Sequence, residues 1–190
     1  MSQRPLRADA AANRDRVLAV AAVVIRRDGP AVPIATIAAE AGVGVATFYR
    51  SFPSREALLT ALTHRSMEMV VAAASRAAAS DSTAVQALEM FLHQTIEHGG
   101  QLVLPLHGGP MLMDQRTVDL RAQVRTVLAG ILERGQREGT VSDEVTAADV
   151  VLFGALLAQS LPHIQNWDAV ARRQVRIFLA GIALTPSDPS

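Results

Sequence analysis

Apolar residues recur at helical spacing along most of the chain. Val17, Val20, Ala21 and Val24 trace one face of a first helix, with Asn13 placed to cap it and Asp28-Gly29-Pro30 to end it. Ile34, Ile37, Ala38 and Ala41 trace a short second helix, in which Pro33 suits the first position and Gly42 the left-handed residue just past the end. After the turn at Gly42-Val43, Gly44 stands as N-cap of a third brief helix. Its Phe48 and Phe52, four apart, point inward, and its other faces are nearly bare. Pro53 breaks that helix. Ser54 caps a fourth, with Glu56 favourably placed in the first turn and Leu58, Leu59 and Leu62 on its apolar side, carrying on to about Met69.

Beyond an alanine-rich stretch and the polar "SDST" at Ser80 to Thr83, a helix is expected from about Val85 to His98. "GGQLVLPLHGGP" reads as a loop or broken helix, and further helices are expected near Asp114 to Glu138, Thr146 to His163 and Trp167 to Leu184, with a frayed "TPSDPS" tail. No segment alternates with period two and there is no internal repeat, so the fold class is all-α. "ADVVLFGALLAQSL" is apolar on two sides, with Val150, Phe153, Leu157 and Leu161 on one and Val151, Ala155 and Ala158 on the other. Two apolar sides need two covers: the rest of the chain, or a partner.

The 190 residues are 49% apolar, enough for a sizeable core. No window holds the 18 uninterrupted apolar residues of a membrane span, and "MSQRPLRADAAANRDR" lacks the apolar centre of a signal peptide, so a cytoplasmic protein with no membrane partner is expected. The chain has no cysteine and no lysine. Disulfides, thiolate nucleophiles, the usual zinc frameworks, Schiff-base chemistry and a P-loop lysine are thereby excluded. The net charge is zero, yet through Ala57 eight arginines (Arg4, Arg7, Arg14, Arg16, Arg26, Arg27, Arg50, Arg55) face five acids (Asp9, Asp15, Asp28, Glu40, Glu56). That is +3, leaving −3 for the remainder: a basic head on an acidic body, with different partners expected for each.

Two short helices joined by a glycine turn are the parts of a helix-turn-helix, although the spacing alone fits a small helical hairpin as well. The residues go further. "IAAEAGVGVATFYRSFPSREALL" resembles the DNA-binding signature of the TetR family of transcriptional regulators, in register over roughly Asn13 to Leu59. The resemblance implies a three-helix helix-turn-helix DNA-binding domain over residues 1–56 and a larger helical-bundle effector-binding and dimerisation domain over 57–190. It implies a repressor that binds a palindromic double-stranded DNA operator as a homodimer and is released by a small-molecule effector, without a cofactor, a metal or catalysis.

On that reading the DNA-binding residues are Thr36, Gly44, Val45, Ala46, Thr47, Tyr49, Arg50, Ser51 and Arg55. Small side chains at Val45, Ala46 and Thr47 let the leading turn sink into the major groove. Thr47 offers a hydroxyl to phosphate and a methyl to thymine, and Tyr49 a ring for packing and a hydroxyl for the backbone. Arg55, in the first turn of a helix, opposes the macrodipole; the family places Lys or Arg there to grip a phosphate. Two positions depart from the family. Ser51 replaces a common His or Tyr, and Pro33 replaces a Ser or Thr, leaving Thr36 as a substitute contact. Arg4 and Arg7 read equally as an N-terminal arm toward DNA and as solubilising residues.

A hidden enzyme has little to recommend it. His93 and Glu97 share a helical face but His98 does not, and no G-x-S-x-G elbow occurs. The acidic body reads better as a ligand cavity lined by Met67, Phe91, Thr95, His107, Met111, Met113, Phe153 and Leu157, against the alternative that these are core. The family's last two helices pair with their mates in the dimer, where Gly154 and Ala158 would allow close approach.

Overall fold

The computed structural model describes residues 4–105, 109–161 and 163–184. Eight α-helices and no strand occur among them: α1 (Arg4–Asp28), α2 (Ile34–Glu40), α3 (Val45–Ser51), α4 (Arg55–Ala78), α5 (Ala84–His98), α6 (Gln115–Arg137), α7 (Ala147–Leu157) and α8 (Trp167–Ile182). The chain divides into two compact units, one of residues Met1–Ser66 with Gly100–Leu112, the other of Met67–Gly99 with Met113–Ser190. The division falls inside α4. His107 and the tail Thr185 to Ser190 lie outside the described residues.

In the first unit α1 begins at Arg4 rather than after Asn13. The preceding segment is alanine-rich and free of glycine, so nothing in it stops the helix. Asn13 is interior and accepts from Arg16 at 2.6 Å, and Arg4 and Arg7 belong to the helix rather than to a separate arm. Pro33 flanks α2 as its cap instead of opening it. Gly42, at φ +66°, closes α2: its N–H donates to Ala39 and that of Val43 to Ala38, two bonds that satisfy carbonyls the helix leaves open. The core of this unit joins Val17, Ala21, Val24 and Ile25 of α1 to Ile37 and Ala38 of α2, Phe48 and Phe52 at α3, and Leu58 and Leu62 of α4. Val103 completes it from the segment after α5. Its N–H donates to the buried Ser66 hydroxyl at 2.9 Å, and that hydroxyl donates to Leu62 at 2.7 Å.

In the second unit α5 packs against α6, α7 and α8. A reciprocal cap between Thr83 and Gln86 starts α5, and the Asp114 carboxylate starts α6 by accepting from Thr117. Helix α4 runs on to Ala78, past Met69, because the alanines beyond it are strong helix formers and Ala73, Ala74 and Ala77 are buried.

Helix α7 stops at Leu157, well short of His163. The Trp167 indole donates to the Leu157 carbonyl at 2.9 Å and takes the place of a further helical N–H. Gly154 and Ala158 do not serve the outer face. A Cβ on Gly154 would lie 3.3 Å from Leu92 and 3.7 Å from Thr95, and one on Gly99 would collide with the Ala158 carbonyl. Gly154 and Ala158 are both buried within the chain. Helix α8 ends at Ile182, where Ala183 forms an antiparallel bridge with Val141.

Candidate nucleic-acid interface

Helix α3 is anchored on one side and open on the other. Phe48 and Phe52 are fully buried with ring centroids 5.5 Å apart, which leaves Val45 (44% exposed), Ala46, Tyr49 (46% exposed) and Arg50 facing outward. Tyr49 stands edge-on to Phe48 at 5.9 Å, so its ring direction is fixed while its hydroxyl is presented. Gly44 has open space where a Cβ would be and an ordinary φ of −67°. Neither backbone conformation nor packing within the chain therefore demands glycine there. The leading turn is slim, exposed and held by two aromatic anchors.

Polar contacts set the remaining side chains. Arg50 donates to the Thr47 hydroxyl at 2.7 Å, which occupies an acceptor site of that hydroxyl and leaves its O–H to donate elsewhere. Ser51 is half-buried and its hydroxyl turns back toward the Thr47 carbonyl at 3.5 Å; Thr36 is half-buried on α2. Arg14 of α1 donates to the Ser51 carbonyl at 3.4 Å and lies over the Phe52 ring. Arg55 donates through both terminal nitrogens, to Pro30 and Val32 carbonyls, at 2.7 Å each.

Arg27 bridges Asp28 and Glu40, tying the ends of α1 and α2. These hydrogen bonds, Asp28 first, push its pKa further above the ordinary arginine value, and Arg27 in turn holds Asp28 below the usual carboxylate range. Burial alone lowers Arg26. Glu56 is lowered by its own backbone N–H and the Ser54 hydroxyl at the start of α4. Arg27 is thus matched by carboxylates within the head, whose sequence through Ala57 carries an excess of +3.

The candidate ligand residues are less united. Met67, Phe91, Thr95 and Leu157 are buried, Phe153 is half-buried and stacks on Phe178 at 4.3 Å, and the Thr95 hydroxyl is satisfied by the Phe91 carbonyl. Met111 and Met113 are each 68% exposed. Of the histidines, His93 has a buried Nε2 without a hydrogen-bond partner, whereas Glu97 pairs with Arg172 at 2.8 Å.

Comparison with known proteins decides the family. Residues 17–62 match the family model of bacterial regulatory proteins of the tetR family, and residues 83–184 match the SbtR-like transcriptional regulator C-terminal domain. The chain belongs to the TetR family. It is a TetR-family helix-turn-helix transcriptional regulator, with a helical C-terminal domain. Among solved structures it is similar to a TetR transcription regulatory protein from Mycobacterium vanbaalenii, at 31% identity over 95% of this chain and 100% of that one, TM-score 0.68. SCO0520 from Streptomyces coelicolor, also a TetR regulator, is 25% identical over 90% of this chain and 99% of that one, TM-score 0.64. AibR, solved in complex with isovaleryl coenzyme A and operator DNA, shares the fold at 15% identity over 90% and 97% of the two chains, TM-score 0.69. No curated protein matches.

Within this TetR-family head, two contributions escape a reading of the sequence. Arg14 lies 37 residues from Ser51, and Val103 enters the head core from beyond α5. Neither carries a local signal. An extra arginine on α1 looks like any solvated cation, and Val103 sits in an interrupted loop whose packing partner only the fold defines.

Proposed function

We propose that the protein is a homodimeric repressor that binds a palindromic double-stranded DNA operator and leaves it when a small-molecule effector binds. The observation that carries this is the slim, outward-facing leading turn of α3 held on buried Phe48 and Phe52. Val45 and Ala46 admit the helix to the major groove, Thr47 and Tyr49 donate hydroxyls, Gly44 and Arg50 flank them, and Thr36 and Ser51 approach the backbone. Two-fold symmetry asks for half-sites about 34–36 Å apart or a multiple of that.

Dimerisation uses the outer faces of α7 and α8. Leu152, Leu156 and Ile177 are each more than half exposed and stand beside the Phe153–Phe178 stack, an apolar surface a monomer would leave wet. The effector site lies among Met67, Phe91, Thr95, Phe153 and Leu157 of the second unit, a mostly apolar set. AibR, which shares the fold, was solved with isovaleryl coenzyme A, a polar ligand with a short apolar acyl end. To release the operator, the effector must favour a form in which α4 has moved the two heads out of operator spacing. The protein works where the chromosome is, in the cytoplasm.

The test is retardation of the DNA fragment upstream of the chain's own gene by the full chain and by the Thr47→Ala/Tyr49→Ala double variant. Because both side chains are on the outer side of α3, the variant keeps its melting temperature and loses the specific complex. Equal binding by wild type and variant sinks the assignment of α3 as the reading helix.

A further inference from the structure

Arg55 is the first residue of α4, where the partial positive charge of the helix terminus opposes a cation. The guanidinium does not reach outward from that place. Its two terminal nitrogens donate to the carbonyls of Pro30 and Val32, each at 2.7 Å. These carbonyls belong to the five-residue connection from Gly29 to Pro33 between α1 and α2. The backbone hydrogen bonds of that connection end on Gly29 and Pro33, from Val32, Thr36 and Ile37, so Pro30 and Val32 are left to the guanidinium. Pro30 and Pro33 have no N–H and a fixed φ, which makes the connection a stiff strut.

We infer that Arg55 is a positioning residue for DNA binding: its forked guanidinium pins the α1–α2 connection to the start of α4 and so sets how α2 and α3 are presented, instead of gripping a phosphate. The inference rests on the regulator reading given above. Val32, one of the pinned residues, and Leu58, one turn after Arg55, sit in the same buried cluster, so apolar packing and the fork fix the same junction. Helix α2 begins directly after the connection and is coupled through Gly42 to α3. A slip at the junction therefore moves the reading helix. Lysine cannot take this role, because a single ammonium is a point donor and not a planar fork.

The experiment measures affinity for the upstream fragment, and for random-sequence duplex, between 50 and 200 mM salt for the full-length wild type, R55K and R55Q, well below each protein's melting temperature. The expected result is that R55K and R55Q both lose about tenfold in affinity while the dependence on salt keeps the wild-type slope. A phosphate grip gives the opposite pattern, and overturns the inference: R55K binds like wild type and R55Q lowers the slope by about one. Wild-type affinity in both variants overturns it too, since a purely structural tie would move only the melting temperature. If R55Q fails to fold, R55K alone separates these outcomes. A wild type that binds neither DNA overturns the regulator reading itself, a result distinct from any difference between variants.

Discussion

The Arg14 guanidinium carbon lies 4.4 Å from the centre of the Phe52 ring, and the same side chain donates to the Ser51 carbonyl at 3.4 Å. Ser51 ends α3 and Phe52 caps it, so one cation from α1 meets both the negative end of the reading helix and one of its two aromatic anchors. The contact is at the surface and its energy is modest. Replacing Arg14 by alanine is expected to lower stability by about 0.5–1 kcal/mol, read as a lower urea midpoint with an unchanged slope. An unaltered midpoint would show that the cation adds nothing to the ring.

Two glycines of α6 should respond in opposite directions. A Cβ at Gly130 meets nothing, so Gly130→Ala removes only backbone freedom and is expected to stabilise by about 1 kcal/mol. A Cβ at Gly135 would come within 2.6 Å of both Ala84 and Val141, so Gly135→Ala should cost about 1–3 kcal/mol of overpacking. Guanidinium unfolding of the two variants checks the sign of each.

Asp149 closes the cap at the start of α7. The Thr146 hydroxyl and backbone N–H donate to its carboxylate and hold its pKa below the ordinary 3.8. A carboxyl lowered in the folded state binds fewer protons there than in the unfolded chain, so its contribution is complete above about pH 5 and fades as the pH falls through the lowered value. The melting temperatures of wild type and Asp149→Asn should therefore differ at neutral pH and converge in acid. A gap that stays constant down to about pH 3 would deny the carboxylate this role.

Leu156 and Ile177 are exposed in the single chain, so placing glutamate at both should leave the monomer folded. If α7 and α8 form the dimer face, sedimentation will show the double variant as a monomer beside a dimeric wild type, and its affinity for the upstream fragment will drop at least tenfold because two linked heads bind better than one. A variant that remains dimeric places the interface elsewhere.

The order of helices, the turn at Gly42, the inward pair Phe48 and Phe52 and the family signature were all legible in the chain, because each rests on local spacing or on backbone conformation. The helix ends at Asp114 and Thr146 were legible for the same reason: a capping side chain acts within three residues of itself. The starts and stops that went astray have distant or missing stop signals. No residue from Arg4 to Asn13 halts α1, and the Leu157 carbonyl at the end of α7 accepts from the indole of Trp167 rather than from a further helical N–H.

By itself, then, the sequence determined an all-helical regulator whose slim reading helix stands on two aromatic anchors, since periodicity and turn chemistry are properties of neighbours. Only the tertiary structure decided what the charged and small residues touch. Arg55, legible as a phosphate contact, donates from its two terminal nitrogens to Pro30 and Val32; Arg14 is drawn to Phe52; and Gly154, legible as an interface spacer, faces Leu92. The physical reason is reach: a long cation or a missing Cβ is satisfied by whatever the fold brings near, which spacing along the chain does not encode.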